Sequence, residues 1–450
     1  MGKQTPRHGR VVLVPCPYQG HINPMLHLGT VLHSHGFSIT VIHTEFNSPN
    51  PSSHPEFTFQ AIPDSLSDDQ ISSGNLAAIL LALNSNCKTP FQECITRMAQ
   101  QKMSDDKVTC IIYDELLYFA EAAARHLKLP SIILRTTSAV TAQSRVAIRQ
   151  LKEEGWDPWK DSMSQDRVPN LHSLRFKDLP FSIFGVPDNF LELIAQMYDV
   201  RKSSAVIWNT MDCLEQSSLE QQQQRCPIPI FPLGPLHKFA PVSSSSLLNE
   251  DTGCIAWLDK QPCNSVLYIS LGSVASIDET EVVEMAWGLA SSRQRFLWVV
   301  RPGSIPGSEW IEPLPEDFRE LVGERGCIVK WAPQKEVLAH SAVGGFFSHC
   351  GWNSTLESIS EGVPMICKPC FGDQRVNARY ASYVWGIGLQ LENKLERKEI
   401  ERAVRRLMVD SEGEEMRRQA KKLKEKAEIC IKEGGSSYNN LKKLLELMSF

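Results

Sequence analysis

The sequence predicts an α/β protein that contains two parallel, doubly wound sheets in tandem. The first half opens with an apolar run over 11–15, a loop, a helical pattern that ends at Gly36 and a second strand over 37–43. The second half repeats this order, with strand 266–271, loop 272–277, helix 278–290 and strand 296–300. Units of this size favour parallel strands joined by right-handed crossovers. The two openings therefore predict two Rossmann-like domains.

The first of these helices has a clear apolar face and recognisable start signals. Apolar residues recur on one side from Met25 to Leu32. Asn23 can cap a helix, and Pro24 suits a first helical position because its missing N–H would have no partner there. We therefore predict that this helix begins at Pro24 and follows a loop over 16–21.

Bulk composition is that of an ordinary globular protein. The chain has 450 residues, 42% hydrophobic and 22% charged, with a formal net charge of −5. This balance gives no indication of nucleic-acid or membrane partners. The most lipid-like stretch, 76–83, is about a third of a membrane span. We expect a cytoplasmic monomer without membrane insertion.

The length and a serine-rich stretch predict the domain limits. A single core rarely serves 450 residues, and 243–246 is a run of serines next to Pro241. We predict an N-terminal domain over 1–240, a linker over 241–250 and a C-terminal domain over 251–450. The last helix, about 436–450, is expected to pack back on the N-terminal domain.

Thirteen scattered cysteines predict reduced thiols that pack as small apolar groups. Cys367 and Cys370 form a C-x-x-C pair. A zinc site would need a second pair of ligands, for which His349 and Cys350 are the nearby candidates. We favour thiols in a turn after a strand, and expect no bound metal.

The segment around 344–361 has the pattern of a phosphate-binding site. A buried-type strand over 344–348 precedes a helix over 353–361, with His349, Gly351 and Ser354 near the junction. Ligands of open parallel sheets bind where strands end and helices begin, and a helix N-terminus favours a diphosphate. Taken alone, however, the segment favours a simpler interpretation, in which Ser354 only caps the helix and His349 is a packed side chain.

A wider pattern decides between these interpretations. Over 44 residues the chain carries, in order, Trp331-Ala332-Pro333-Gln334, Leu338, His340, Gly344, Phe346, the run 349–357, Gly362-Val363-Pro364 and Asp373-Gln374. This pattern resembles the plant secondary-product glycosyltransferase signature, and the whole chain resembles family 1 plant UDP-glycosyltransferases. The opening 17–24 and the run 36–44 resemble the subgroup with cytokinin and steviol-glycoside glucosyltransferases. The resemblance implies a GT-B fold, in which two Rossmann-like domains face each other across a cleft.

The resemblance also implies roles for individual residues in binding UDP-glucose as a cosubstrate. Trp331 would stack on uracil, the Ala332 backbone would bond its edge, and Gln334 with Glu357 would hold the ribose. The diphosphate would be bound by Ser273, His349, Asn353 and Ser354. The sugar hydroxyls would be bound by Trp352, Asp373 and Gln374, and the glutamine goes with glucose. Lys335 is a departure from many members, and we expect it to face solvent.

Two residues of the first half are candidates for proton transfer. His21 precedes a helix start, where positive potential keeps an imidazole neutral. Asp114 ends a strand-like run over 108–113 and would emerge at the same sheet edge. The resemblance supplies the pairing, because both residues match the family's catalytic dyad. It implies a single in-line displacement that converts an α-linked UDP-glucose into a β-glucoside without a metal. Thr136 or Thr137 would also contact the sugar.

Three other enzyme classes lack their sequence motifs, whereas some alternatives within nucleotide-sugar binding remain. The sequence has no G-x-G-x-x-G after either opening strand, no G-x-S-x-G and no P-loop. A UDP-sugar-binding protein without transfer activity remains an alternative, as do transfer to nitrogen or to another sugar. We predict a small hydrophobic acceptor, such as a flavonoid, terpenoid or hormone, near loops 75–91, 135–159 and 180–196. Apolar candidates there are Leu80, Leu83, Phe91, Val140, Phe184 and Phe190, each of which could equally pack the core.

Overall fold

The computed structural model describes residues 9–100, 107–155, 164–180, 187–198, 202–240 and 246–449. The strands are β1 Arg10–Val14, β2 Ser38–Thr44, β3 Thr58–Ile62, β4 Val108–Asp114, β5 Ser131–Arg135, β6 Arg167–Val168, β7 Leu171–Arg175, β8 Ala205–Trp208, β9 Ile230–Pro232, β10 Val266–Ser270, β11 Arg295–Val299, β12 Gly326–Val329, β13 Val343–Ser348, β14 Met365–Cys367 and β15 Gly388–Gln390.

The helices connect these strands and complete the chain. They are α1 Gln19–Ser34, α2 Asp68–Ser72, α3 Leu76–Asn86, α4 Lys88–Gln100, α5 Phe119–His126, α6 Ala139–Glu153, α7 Pro187–Tyr198, α8 Asp212–Arg225, α9 Leu236–Phe239, α10 Gly253–Leu258, α11 Glu279–Ser292, α12 Phe318–Val322, α13 Gln334–Ala339, α14 Trp352–Glu361, α15 Gln374–Arg379, α16 Arg397–Met408, α17 Ser411–Ile431 and α18 Ser436–Met448. Among the described residues, no helix has both the length and the apolar character needed to cross a membrane.

The first sheet is parallel and doubly wound. Its order is β3-β2-β1-β4-β5-β8-β9, so β1 pairs with β2 on one side and with β4 on the other. Helices cover both faces, and the apolar core on one face includes Phe91 and Trp208 while the other includes Met25 and Phe37. The strand order reverses between β1 and β4. Ligands of such sheets bind at the carboxyl ends of the strands at this switch point.

The second sheet repeats the topology with different strands. Its order is β12-β11-β10-β13-β14-β15, all parallel. Its switch point lies between β10 and β13, and its core includes Phe296, Phe318 and Phe347. The predicted pair of Rossmann-like domains is therefore confirmed.

The start of α1 differs from the prediction. The helix begins at Gln19 rather than Pro24, and no side chain caps its N-terminus. The backbone oxygen of Tyr18 accepts hydrogen bonds from the N–H groups of His21 and Ile22, which closes the first turn. Pro24 is thus the sixth residue of α1, where it cannot donate the usual hydrogen bond to the backbone four residues back. His21 therefore lies in the first turn of α1 and not in a loop.

The chain divides into two compact units, and each unit is assembled from more than one segment of the sequence. The first unit takes its described residues from Met1–Gly155, Ser182–Leu247 and Ile429–Phe450, and the second from Trp156–Phe181 and Leu248–Glu428. The change after Leu247 falls inside the predicted linker 241–250, whose residues 241–245 lie outside the described part.

Two segments thus join a unit from which they are distant in sequence. The β6–β7 hairpin belongs to the second unit, because Arg175 on β7 forms an ion pair of 2.8 Å with Glu392 and the Arg379 side chain donates to the backbone oxygen of Ser173. Helix α18 belongs to the first unit, where Leu441 and Leu444 pack into the core beside β9.

Candidate active site

His21 and Asp114 meet at the switch point of the first sheet. The His21 Nδ1 atom lies 2.8 Å from Asp114 Oδ2, with the imidazole 19% exposed and the carboxyl group wholly buried. The other carboxyl oxygen of Asp114 accepts the N–H of Leu116 at 3.0 Å, which fixes the orientation of the carboxyl group. Because a carboxylate can only accept, it selects the tautomer with hydrogen on Nδ1. The lone pair is then on Nε2.

Thr136 and Thr137 follow β5, but they have different surroundings. The Thr136 hydroxyl lies 2.9 Å from His21 Nδ1, beside the bond to Asp114. The Thr137 hydroxyl donates to buried Glu115 at 3.4 Å, and its backbone oxygen accepts the indole N–H of Trp208 at 2.6 Å. The structure therefore brings Thr136, and not the Thr137 hydroxyl, next to the His21–Asp114 pair.

His349 occupies the corresponding switch point of the second sheet, directly after β13. A Cβ atom added to Gly272 or Gly351 would lie 2.5 Å or 2.6 Å from His349 Nε2, so only glycine allows the imidazole to fit between these loops. Gly272 also has a φ of +78°, which favours glycine. Burial lowers the pKa of His349 to about 4, although the Ser270 backbone partly opposes this shift. The ring is therefore neutral at pH 7.

The helix N-terminus beside His349 has no side-chain cap, and its backbone N–H groups favour negative charge. Helix α14 begins after Gly351 without a side-chain cap, whereas Asp278 caps α11 through a 2.8 Å bond from the N–H of Glu281. Cys350 adopts a φ of +64°, which is strained for a residue other than glycine and turns the chain sharply into α14. The predicted diphosphate residues Asn353 and Ser354 lie in the first turn of α14.

Ser273 lies half-buried in the loop that follows β10, one residue after Gly272. Since Gly272 borders His349, the structure places Ser273 in a loop adjacent to that imidazole. The predicted diphosphate residues thus come from the carboxyl ends of β10 and β13, the two strands at the switch point.

The two residues predicted to hold a ribose contact each other directly. The Gln334 amide nitrogen donates to Glu357 Oε2 at 2.7 Å and to the Ser354 hydroxyl at 2.9 Å. The Gln334 amide oxygen accepts the hydroxyl of Tyr268, in the middle of β10, at 3.3 Å. Sequence reasoning missed Tyr268, because its position in an apolar strand indicated only a core residue.

The other predicted donor-site residues are fixed by burial and hydrogen bonds. Trp331 is 9% exposed, and Ala332 is buried beside it after β12. Trp352 is 3% exposed and packs against Trp385 with ring centroids 6.3 Å apart, so its indole is mostly covered. Asp373 accepts a bond of 3.1 Å from the Asn377 amide.

Gln374 is buried at the start of α15. Its side-chain oxygen accepts the backbone N–H groups of Cys370 and Phe371 at 2.8 and 3.1 Å. These bonds fix the amide so that its remaining polar group is a donor.

Lys335 is half-buried, so the prediction that it faces solvent is wrong. Burial lowers the pKa of its ammonium group, while the carboxylates of Glu357 and Glu250 oppose the shift. The sequence misled because a lysine at the start of a short helix is usually exposed.

The cysteines near this segment form no metal site in the part of the chain that the structure describes. His349, Cys350, Cys367 and Cys370 do not bring three metal-binding atoms together. Cys16, His21 and Asp114 do have such atoms within 4.8 Å of one another. Burial and the charge of Asp114 raise the pKa of the Cys16 thiol well above its usual value, so the thiol is protonated in the metal-free protein.

The apolar residues considered for an acceptor lie mostly in the core. Leu80, Leu83 and Phe91 belong to one buried cluster, and Val140 is 1% exposed. Phe190 is half-buried on α7, and Phe184 lies outside the described residues.

The low pKa of His349 predicts an acid sensitivity of the fold. An unfolded histidine binds a proton below about pH 6.5, whereas the folded chain takes it up only near pH 4. Stability should therefore fall as the pH drops between these values. We expect His349→Gln to reduce this fall in urea unfolding at pH 7.0, 5.5 and 4.5. If the variant lost stability with pH as steeply as the parent protein, the imidazole would not be buried in its neutral form.

The Gln334–Glu357 contact predicts a charge-assisted site for a diol. Glu357→Gln keeps the shape but removes the negative charge, and such bonds contribute about 1.5–3 kcal/mol. We expect UDP affinity measured by calorimetry to fall about 10- to 100-fold. Glu361→Gln is the matched control, since Glu361 lies on the same helix and pairs with Lys424 at 3.3 Å. Equal losses in both variants would contradict the assignment.

Comparisons with known proteins agree with this arrangement. The family described as UDP-glucoronosyl and UDP-glucosyl transferase matches residues 9–421. Flavonol 3-O-glucosyltransferase UGT76E12 of Arabidopsis thaliana is 50% identical over 452 residues, covering 99% of this chain and 98% of the relative. UDP-glycosyltransferase 76B1 of the same plant is 50% identical over 444 residues, covering 98% of each.

Solved structures give the same result. Os79 of O. sativa, crystallised with UDP, has a TM-score of 0.83 and 28% identity, covering 97% of this chain and 100% of its own. UGT2 of Phytolacca americana, crystallised with UDP-2fluoro-glucose and pterostilbene, has a TM-score of 0.79 and 26% identity, covering 99% of both chains. The two parallel sheets, the residues at their switch points and these full-length similarities lead to one conclusion: the chain belongs to the plant family 1 UDP-glycosyltransferases.

Proposed function

We propose that this protein is an inverting glucosyltransferase that moves glucose from UDP-glucose to a hydroxyl group of a small apolar acceptor. The observation that carries the proposal is the 2.8 Å contact between His21 Nδ1 and Asp114 Oδ2 at the first switch point. A UDP-sugar-binding protein without transfer activity would have no need of a histidine oriented by a buried carboxyl group.

The donor is proposed to bind to the second unit. Trp331 would stack on uracil with the Ala332 backbone at its edge, and the Gln334–Glu357 pair would accept the ribose hydroxyls. The diphosphate would bind Ser273, His349 and the first turn of α14 with Asn353 and Ser354. Trp352, Asp373 and Gln374 would address the glucose hydroxyls. The groups around the diphosphate are neutral side chains and backbone N–H donors. We propose that they bind the diphosphate directly, without a metal ion.

Proton transfer is proposed to occur in the first unit. The lone pair on His21 Nε2 accepts the acceptor's hydroxyl proton as its oxygen attacks the anomeric carbon. Asp114 then stabilises the imidazolium that forms, as the carboxylate does in a hydrolase triad. The bond to the UDP oxygen breaks on the opposite side of the carbon, so an α-linked donor yields a β-glucoside. The α14 N-terminus and the His349 imidazole stabilise the departing diphosphate.

Two relatives indicate an acceptor class for this protein. UGT76E12 is named for flavonols, and Phytolacca americana UGT2 was crystallised with pterostilbene. We propose a flat or bulky apolar alcohol or phenol. A mass-spectrometric screen of flavonols, stilbenes, terpenoid alcohols, amines and glycosides with UDP-glucose tests this directly. We expect each phenol or alcohol that is accepted to gain about 162 Da, the mass of one transferred hexosyl residue. Amines and sugars should give no adduct.

The contact of Thr136 with the catalytic pair predicts a kinetic effect. Thr136→Val removes the hydroxyl beside His21 Nδ1 but keeps the volume, and we expect kcat to fall about 3- to 10-fold, the cost of about one lost ordinary hydrogen bond. Thr137→Val is the control, because its hydroxyl contacts Glu115 instead; it should lower the melting temperature and leave kcat within a factor of about two. If Thr137→Val lowered kcat more than Thr136→Val does, Thr137 and not Thr136 would be the threonine that supports catalysis.

A further inference from the structure

Two cysteines distant in sequence meet in the first unit. Cys213 is the second residue of α8, and Cys430 is the last but one residue of α17. Their sulfur atoms lie within 4.8 Å of each other and of a carboxyl oxygen of Asp212. Both cysteines are free thiols. Closure to a disulfide would require the sulfurs to approach to about 2.05 Å, a movement of the order that side-chain rotation provides.

The surroundings of this pair fix its geometry. Asp212 Oδ1 accepts three donors: the Cys213 backbone N–H at 2.7 Å, the Ser436 hydroxyl at 2.7 Å and the Cys430 thiol at 3.4 Å. Cys430 is 5% exposed, whereas Cys213 is half-buried and borders solvent. Both cysteines therefore lie against one hydrogen-bonded carboxylate at the start of α8, Cys430 in the core and Cys213 partly exposed.

The reactivity of Cys430 differs from that of several other buried thiols in the chain. Its pKa is lowered to about 7, chiefly by the hydrogen bond from Cys213 and then by that from Ser436, although burial and the Asp212 carboxylate oppose this shift. Burial instead raises the pKa of Cys110 and of Cys254 to about 12. A thiolate is the reactive form of cysteine, so Cys430 has a far larger reactive fraction at neutral pH than these two.

We propose that Cys213 and Cys430 form a reversible disulfide when the protein meets a hydroperoxide. The Cys430 thiolate attacks a peroxide oxygen, the O–O bond breaks, and water or an alcohol leaves with a proton, so that Cys430 becomes a sulfenic acid. The Cys213 sulfur then attacks the Cys430 sulfur, the S–O bond breaks, and the hydroxyl leaves as water with the Cys213 proton. Two thiols are oxidised, and one hydroperoxide is reduced. A thiol such as glutathione reverses the step by exchange.

The Cys213–Cys430 disulfide would restrain the C-terminal segment of the chain. Helix α17 starts in the second unit, but from Ile429 onward the chain belongs to the first, where Leu441 and Leu444 on α18 complete the core. A link from Cys430 to α8 would tie this segment to the first unit and restrict its local unfolding. Oxidation should therefore stabilise the protein.

The test uses the full-length protein, treated with hydrogen peroxide or with dithiothreitol and digested with trypsin without reduction. Cys213 and Cys430 lie in peptides 203–225 and 427–432, each of which contains no other cysteine. We expect a peroxide-dependent cross-link of these two peptides that dithiothreitol reverses. The melting temperature should rise on oxidation by at least about 3 °C.

Matched variants separate this disulfide from general oxidation. Cys213→Ser and Cys213→Ala should lose both the cross-link and the shift in melting temperature, and Cys430 should then accumulate as a sulfenic acid. Cys226→Ser, at the other end of α8, should keep both. The proposal is overturned if native protein gives no 203–225/427–432 cross-link while other thiols oxidise, if the link appears only in urea, or if the Cys213 variants show the same shift as the parent.

Discussion

His21→Ala should abolish glucosyl transfer while UDP affinity stays within a factor of about two of the parent value. Removing a general base costs about 10²- to 10⁴-fold in rate, and we expect kcat with a phenolic acceptor to fall by at least about 10³. UDP affinity is retained because the residues proposed to bind uracil, ribose and diphosphate lie in the second unit, whereas His21 lies on α1 in the first. Calorimetric titration with UDP and a UDP-release assay measure the two quantities separately.

His33→Ala is the matched control for this variant. His33 lies in the last turn of α1, is exposed and has an edge contact with Phe57, whose ring centroid is 6.1 Å away. Its kcat should be close to that of the parent. If His21→Ala lost UDP binding together with transfer, the assignment of UDP binding to the second unit and of proton transfer to the first would be wrong.

Asp114→Asn should give the second largest loss. The amide keeps the shape of the side chain, but its NH₂ group can donate to His21 Nδ1 and so favour the tautomer with hydrogen on Nε2. That tautomer has no lone pair where the acceptor's proton must go, and the charge that stabilises the imidazolium is also lost. By analogy with triads that lose their aspartate, we expect kcat to fall about 10²- to 10⁴-fold.

Melting temperature and UDP affinity distinguish a positioning role from simple misfolding in this variant. If Asp114 acts by orienting His21, kcat should fall while the melting temperature and the UDP affinity stay close to those of the parent. A loss of kcat that is accompanied by an equally large loss of stability would mean that Asp114 only supports the fold.

Much of the fold could be predicted because local sequence patterns repeat. Short apolar runs followed by helical patterns identified β1, β10 and β13 to within one residue, and parallel sheets of this type place functional residues at strand ends. The contact between His21 and Asp114 follows from the adjacency of β1 and β4. The sequence itself left the pairing open until the family resemblance supplied it.

What could not be predicted depends on contacts between distant residues. Asn23 and Pro24 have the local properties of a helix start, yet the helix begins earlier, because the bonds that close its first turn depend on backbone position and not on side-chain type. The β6–β7 hairpin joins the second unit through Arg175 and Glu392, whose charges are ordinary in sequence.

The same limit applies within the donor site. Tyr268 contacts Gln334 because the fold brings together residues that are 66 positions apart, and Lys335 is half-buried near the carboxylates of Glu357 and Glu250. The Cys213–Cys430 pair had no sequence signal either, because nearly half the chain separates the two residues.

The stereochemistry of the product tests the central claim most directly. Purified protein, UDP-α-glucose and an accepted phenol are incubated, and the anomeric proton of the product is observed by NMR. A single in-line displacement at the anomeric carbon, with His21 as base, predicts release of one UDP per product and a β-glucoside with the large coupling of two axial protons. An α-glucoside, or tight binding of UDP-glucose without transfer to any acceptor of a broad panel, would contradict it.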